Sequence, residues 1–216
     1  MDFNAEDNAV LDRIIENRRS VRAFQKDRMP SREMLEAIIR AGLWAPFGLA
    51  MLPPGAEVRK FVVIRSGSPA LPKIHALLRQ EARKAGEGMA KSFEGRPMPE
   101  HIERWVARMA KTAESGLPGF EDAPSLIIVA ERRLTMEVEI KSIPHVLQNM
   151  WLKATALGLG FQLLSILERL SDSGEFSGIL GLPPGLFAYA GGVVGFPAQE
   201  PASGRRPDAK ESTSWI

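Results

Sequence analysis

Apolar positions along this chain alternate between a helical period and short unbroken runs, which predicts helices and strands in layers. Ile14 and Ile15 close a short amphipathic opening helix. Pro30-Ser31 starts a second helix, in which Met34, Leu35, Ile38 and Ile39 recur at helical spacing. After Ala45-Pro46 the stretch Phe47 to Val58, with Pro53-Pro54-Gly55, reads as a loop, and Phe61 to Ile64 as a buried strand. A long helical region follows, broken near Gly95 to Pro99. In its second half Ile102, Trp105, Val106 and Met109 share one apolar face against many Lys and Arg, the face a core-packing helix needs. Leu126 to Ala130 reads as a second apolar strand, and Pro144 to Leu157 as a helix apolar enough to be buried, against a second subunit if not within one. Gly158-Leu159-Gly160 ends that helix. Phe161 to Ser165 reads as a strand, Asp172 to Leu180 as a short helix, and Leu186 to Val194 as the last strand. From Gly195 the tail is Pro-rich, polar and basic, and it closes on Trp215-Ile216.

Composition narrows this to one globular domain: 216 residues, 44% hydrophobic and 25% charged, are enough to bury a core. A formal net charge of +2 gives no reason to expect a nucleic-acid partner, although it permits anionic ligands. The chain has no cysteine, which excludes disulfides, thiolate metal sites and thiol nucleophiles and fits a reducing compartment. Met1 to Asp12 is polar and acidic, unlike a signal peptide, and no apolar run reaches membrane-spanning length. The expectation is a cytoplasmic protein without a membrane partner.

The most distinctive local chemistry is Arg18-Arg19-Ser20-Val21-Arg22-Ala23-Phe24, with three guanidinium groups and a hydroxyl beside an apolar helix. Guanidinium forks match phosphate oxygens in pairs, so the cluster could hold a phosphate; it could also be a solvated basic turn. Other motifs fall away. Gly158-Leu159-Gly160 begins like a dinucleotide fingerprint, but its third glycine is missing and it follows a helix, so it reads as a helix cap. His75, His101 and His145 lack metal-ligand spacing, and no nucleophile elbow or phosphate-binding P-loop appears. No catalytic side chain and no metal site can be named from these residues.

Taken in order, Arg-Arg-Ser-Val-Arg-x-Phe after an opening helix, Ala-Pro after the next, Ala-Pro before a strand, Gly-Leu-Gly after a buried helix and Gly-Phe-Pro before a basic tail resemble the FMN-dependent nitroreductase-like family. The resemblance runs from about Ile14 to Arg206. It implies an α+β fold with a mixed central sheet flanked by helices, one domain over residues 1–216, and a homodimer with FMN in a cleft built from both subunits. The basic tail, 196–216, is expected to pack on the partner subunit. Arg18, Arg19 and Ser20 are implied at the phosphate and ribityl end of FMN, with Arg205 and Arg206 returning to the phosphate. Arg22 is implied at the pyrimidine edge, where a fixed cation favours reduced flavin. Leu163, Leu164 and Ser165 are implied along the ring, with a backbone N–H near Ser165 reaching N5. Pro46, Phe47 and Gly48 fall on the family's second contact. There the chain departs from the pattern: Phe47 stands where relatives have Ser, no Asn appears before Phe61, and the loop is longer.

The implied activity passes reducing equivalents from NADH or NADPH through FMN to a small planar acceptor such as a nitroaromatic or a quinone. Alternatives are a same-fold enzyme acting on flavin itself or on a halogenated aromatic, a flavin-binding module without efficient turnover, and an anion-binding scaffold without flavin.

Overall fold

The computed structural model describes residues 2–47, 57–134, 137–204 and 206–216; Gly48, Arg205 and most of the Phe47–Val58 loop lie outside them. Among the described residues four strands form one sheet in the order β1-β2-β4-β3: β1 (Arg59–Arg65), β2 (Ser125–Arg132), β3 (Gly160–Leu163) and β4 (Phe187–Gly195). All three pairings between these strands are antiparallel. A parallel bridge from Ser20 to Phe161 continues the sheet beyond β3 and gives it its mixed character.

Successive residues of β2 point to opposite faces, and both faces are covered. Leu126, Ile128 and Ala130 pack into one apolar cluster with α3 (Ala70–Ser92) and α6 (Gly174–Leu180). Ile127 and Val129 enter a second cluster with α2 (Arg32–Leu43) and α5 (Val138–Ala156). Burial on both faces is why β2 reads as an unbroken apolar run. The same reasoning fails for Phe61 to Ile64. This segment is β1, an edge strand in which only Ile64 is buried and Val63 is 38% exposed. An apolar run marks a strand without saying how many neighbours it has.

Two further boundaries differ from expectation. The α5 helix begins before Pro144 and carries it inside. Proline removes one helical hydrogen bond, that of the Ile140 carbonyl, at a residue that is 63% exposed and open to water. The strand expected to reach Ser165 stops at Leu163. Leu164 N–H makes a last bond to Gly191 O at 3.0 Å, and Leu167 N–H then bonds Leu164 O, opening a 3₁₀ turn over Ser165–Leu170.

Capping defines the first helices. In α1 (Ala5–Asn17) the Asn4 side chain accepts from Glu6 and Asp7 N–H at 2.8 and 3.0 Å, while Asp7 accepts from Asn4 N–H at 3.0 Å. Ser31 Oγ accepts from Met34 N–H at 3.2 Å at the start of α2. No residue of α1 is buried, and Leu11, Ile15, Trp44 and Trp215 stand 49%, 48%, 86% and 95% exposed. Among the described residues no helix is long and apolar enough to cross a membrane.

Candidate functional site

The Arg18–Phe24 segment leaves α1 extended and is held from two sides. Val21 N–H donates to Phe161 O at 3.2 Å, and the returning tail donates Ala198 N–H to Ala23 O at 2.9 Å. Val21 and Phe24 are the buried anchors, at 8% and 4% exposure, and leave Arg22 outside. Gly160 is required at this junction, because a Cβ there would lie 2.6 Å from Val21 Cβ.

This segment and the tail enclose a cavity of about 530 Å³, lined by Arg18, Arg19, Ser20, Arg22, Arg206 and the stretch Gln199 to Ala202. Its guanidinium groups are not equivalent. Arg18 sits over the Trp151 ring, 4.3 Å from its centroid, and burial with the nearby Arg206 and Arg19 charges holds its pKa below the usual guanidinium value. Such crowding of like charge favours an anion between them. Arg19 instead donates to the carbonyls of Glu16, Arg18 and Ala202, stitching the end of α1 to the tail. Trp151 Nε1 completes the stitch by donating to Arg19 O at 3.1 Å.

Arg22 also lines a second, larger cleft of about 910 Å³. One wall is the end of β3 and the turn after it, including Leu163, Leu164 and Ser165. The N–H groups of Ser165 and Ile166 take no backbone partner among the described residues, as expected at the start of a helical turn. The opposite wall is α4 (Glu100–Ser115), which presents Trp105, Arg108, Met109 and Thr112 at one-turn spacing, flanked by Lys111. The floor is the Gly116–Asp122 loop. Gly119 in that loop has φ of 78°, and a Cβ there would collide with the Arg22 carbonyl oxygen, so the loop fixes the Arg22 backbone. Lys26 pairs with Asp122 at 2.7 Å, and His75 lies 3.1 Å from Glu121 while stacking on Phe120. Glu168 lines the same cleft, and burial pushes its carboxyl pKa up.

The structure therefore brings Arg18, Arg19, Ser20, Arg22, Leu163, Leu164, Ser165 and Arg206 to two cavities that meet at Arg22. Pro46, exposed, and Phe47, half-buried, line neither cavity. They follow α2, where Arg59 Nη1 donates to Gly42 O and Ala45 O at 3.0 and 3.3 Å and forms a buried ion pair with Glu131. Sequence reasoning missed the cleft-facing side of α4, the Gly116–Asp122 loop and Gln162. Gln162 is 5% exposed, and its Oε1 is buried without a partner among the described residues. The mixture of Trp105 with Arg and Lys on α4 was the available signal, because a face used only for packing would not carry cations. Among the described residues no group of three His, Asp or Glu is placed to hold a metal ion.

A family model described as the Nitroreductase family matches residues 15–196. Among solved structures, the chain is similar to a nitroreductase with bound FMN from Bacteroides fragilis, at 20% identity and a TM-score of 0.68 over 95% of this chain and 98% of that one. It is also similar to a nitroreductase with bound FMN from Desulfitobacterium hafniense, at 24% identity and a TM-score of 0.63 over 96% and 98%. A BluB-like flavoprotein from Clostridium difficile gives 20% identity and a TM-score of 0.70 over 95% and 98%. At these identities the likeness carries the fold. No curated protein matches the sequence.

Proposed function

The chain belongs to the nitroreductase family, and from that premise we propose that it is an FMN-dependent oxidoreductase drawing on NADH or NADPH and serving a small planar acceptor such as a nitroaromatic or a quinone. The observation that carries this reading is Arg22, which lines both the small basic cavity and the larger cleft. A flavin mononucleotide needs both environments within one molecule's length: an anion pocket for the phosphate and a broader cleft for the ring. The residues present fit the group. The basic cavity offers Arg18 and Arg206 with the Ser20 hydroxyl, and the cleft offers the main chain of Leu163 to Ile166, where the Ser165 and Ile166 N–H groups take no backbone partner among the described residues.

Bound FMN supplies two-electron redox chemistry that no side chain here provides. The residues position and bias it. Arg18, Ser20 and Arg206 hold the phosphate and ribityl end, and Arg205 falls beside them in sequence. Arg19 ties the loop to the tail through Nε and Nη1, which donate to three carbonyls, and its Nη2 group remains to meet the phosphate. Arg22 places a fixed cation at the pyrimidine edge, favouring negative charge there. The main chain at Leu163 to Ser165 lies along the ring, with an N–H near Ser165 as donor. Such a site needs no acid–base dyad of its own.

Pro46, Phe47 and Gly48 enter this scheme through the homodimer, in which each cleft is completed by the other subunit; residues 196–202 of the tail are held to Arg19–Gln25 of their own chain, so it is the end of the tail, 207–216, that packs across. Support comes from the apolar side chains left exposed on α1, at the end of α2 and at the C-terminus. The cysteine-free composition agrees with a cytoplasmic setting. The test is anaerobic addition of NADH, then NADPH, to the FMN-loaded protein. Bleaching of the flavin bands, followed by recovery on adding a quinone, is expected; a flavin that stays oxidised with both reductants would overturn the enzymatic reading in favour of a binding module.

A further inference from the structure

The two walls of the larger cleft differ in charge in a way that flavin binding does not require. On α4, Arg108 and Lys111 face the cleft one turn apart with Trp105 a turn before them, and Arg169 stands on the wall formed by the 3₁₀ turn. None of these three cations has an ion pair or hydrogen bond among the described residues. The acids lining the cleft are differently placed. Asp122 is taken by Lys26 at 2.7 Å, from outside the cleft lining, and Glu121 faces His75 at 3.1 Å. Glu168 is the third acid; it lies on the 3₁₀-turn wall next to Arg169, and desolvation raises its carboxyl pKa. The α4 wall itself carries no acid that lines the cleft.

Uncompensated cations beside an aromatic side chain recognise a ring that carries negative charge at its edge. Building on the flavin reading above, we propose that this cleft selects planar acceptors bearing a carboxylate, with Trp105 against the ring and Arg108, Lys111 and Arg169 drawing the carboxylate. The chemistry suits a single carboxylate better than a phosphate. The three cations are spread over two walls at the solvent edge, whereas the phosphate-type site, with crowded guanidinium groups and a hydroxyl, is the separate cavity at Arg18. Exposed cations act mainly by attraction through solvent, so the preference is expected to be moderate and sensitive to salt.

The decisive comparison uses the FMN-loaded protein with 4-nitrobenzoate and its neutral isostere 4-nitrobenzamide as acceptors. Benzoate, which is not reduced, serves as a binding probe read from perturbation of the flavin absorption bands. The wild type is expected to favour 4-nitrobenzoate in kcat/KM and to bind benzoate more tightly than benzamide, and both preferences should shrink in high salt. The double variant Arg108→Gln/Lys111→Gln should lose about five- to tenfold of the carboxylate preference, with the loss in KM rather than kcat. The charge-retaining variant Arg108→Lys/Lys111→Arg should keep most of it. Two outcomes overturn the proposal while leaving the flavin reading intact. In one, flavin that bleaches with NADH or NADPH serves both acceptors equally; in the other, the double variant raises KM for the nicotinamide nucleotide and leaves the benzoate-to-benzamide ratio unchanged, assigning the cations to nucleotide phosphates. A protein that takes up no FMN overturns both.

Discussion

Removing the cation of Arg22 should lower the reduction potential of the bound flavin, and the exposure of Arg22 bounds how much. Arg22 is solvent-exposed between the two cavities, and its main chain is fixed by Val21, by the Gly119 contact and by the tail. A unit charge about 4 Å from a developing negative charge is worth ~1 kcal/mol in water and ~4 kcal/mol at an effective dielectric constant of 20. Exposure places Arg22 toward the weaker end, so ~1–2 kcal/mol of differential stabilisation of the reduced form is expected. For a two-electron couple about 30 mV corresponds to 1.4 kcal/mol, so Arg22→Ala should shift the potential down by roughly 20–45 mV. Arg22→Lys should recover part of this. The assay is equilibration of the FMN-loaded protein with reference dyes during slow anaerobic reduction. An Arg22→Ala protein that binds FMN yet keeps the wild-type potential would refute the placement of this cation at the ring.

Three other outcomes follow from particular contacts. Gly119→Ala puts a Cβ against the Arg22 carbonyl at a positive φ, so it should cost about 1–3 kcal/mol of stability in urea unfolding and weaken FMN binding with it; a change under about 0.5 kcal/mol would show that the loop relaxes freely. Arg19→Ala removes the donors shared by Glu16, Arg18 and Ala202, and limited proteolysis should then cut the 196–206 segment faster than in the wild type, whereas unchanged cleavage would assign the stitch no mechanical role. Glu168 has a raised carboxyl pKa in the folded chain, so the folded state holds its proton more tightly than the unfolded one, and stability is lost as pH rises through the window above the ordinary carboxylate value. Glu168→Gln should therefore stabilise the protein near neutrality but not below pH of about 4; equal melting shifts at both pH values would contradict this.

The sequence announces the local parts of the site and hides the assembled ones. Arg18 to Phe24 is legible because its chemistry sits in seven consecutive residues and its buried anchors are in the same stretch. The central strands β2 and β4 are legible because burial on both faces leaves unbroken apolar runs. What the sequence cannot convey is which side of a helix meets a cavity. Ile102, Trp105, Val106 and Met109 have the spacing of a packing face, and Met109 does pack against the core, but Trp105 is only half-buried and turns to the cleft. The edge position of β1 and the 3₁₀ turn at Ser165 depend on partners far along the chain, so apolar content could not reveal them. Arg19 shows the same limit within a motif. Its residue type suggests an anion ligand, and only the carbonyls around it, one of them supplied by Ala202, show that it also ties the chain to itself.

The central claim is that the cavity at Arg18 and Arg206 receives the phosphate of FMN while the cleft beyond Arg22 receives its ring. The most direct test is an equilibrium titration of the purified protein with FMN and, in parallel, with riboflavin, which has the same ring and no phosphate. Charge-assisted contacts to two guanidinium groups and a hydroxyl should favour FMN by at least about tenfold to a hundredfold, and Arg18→Gln should remove much of that difference. Equal affinity for FMN and riboflavin, or no binding of either, would contradict it.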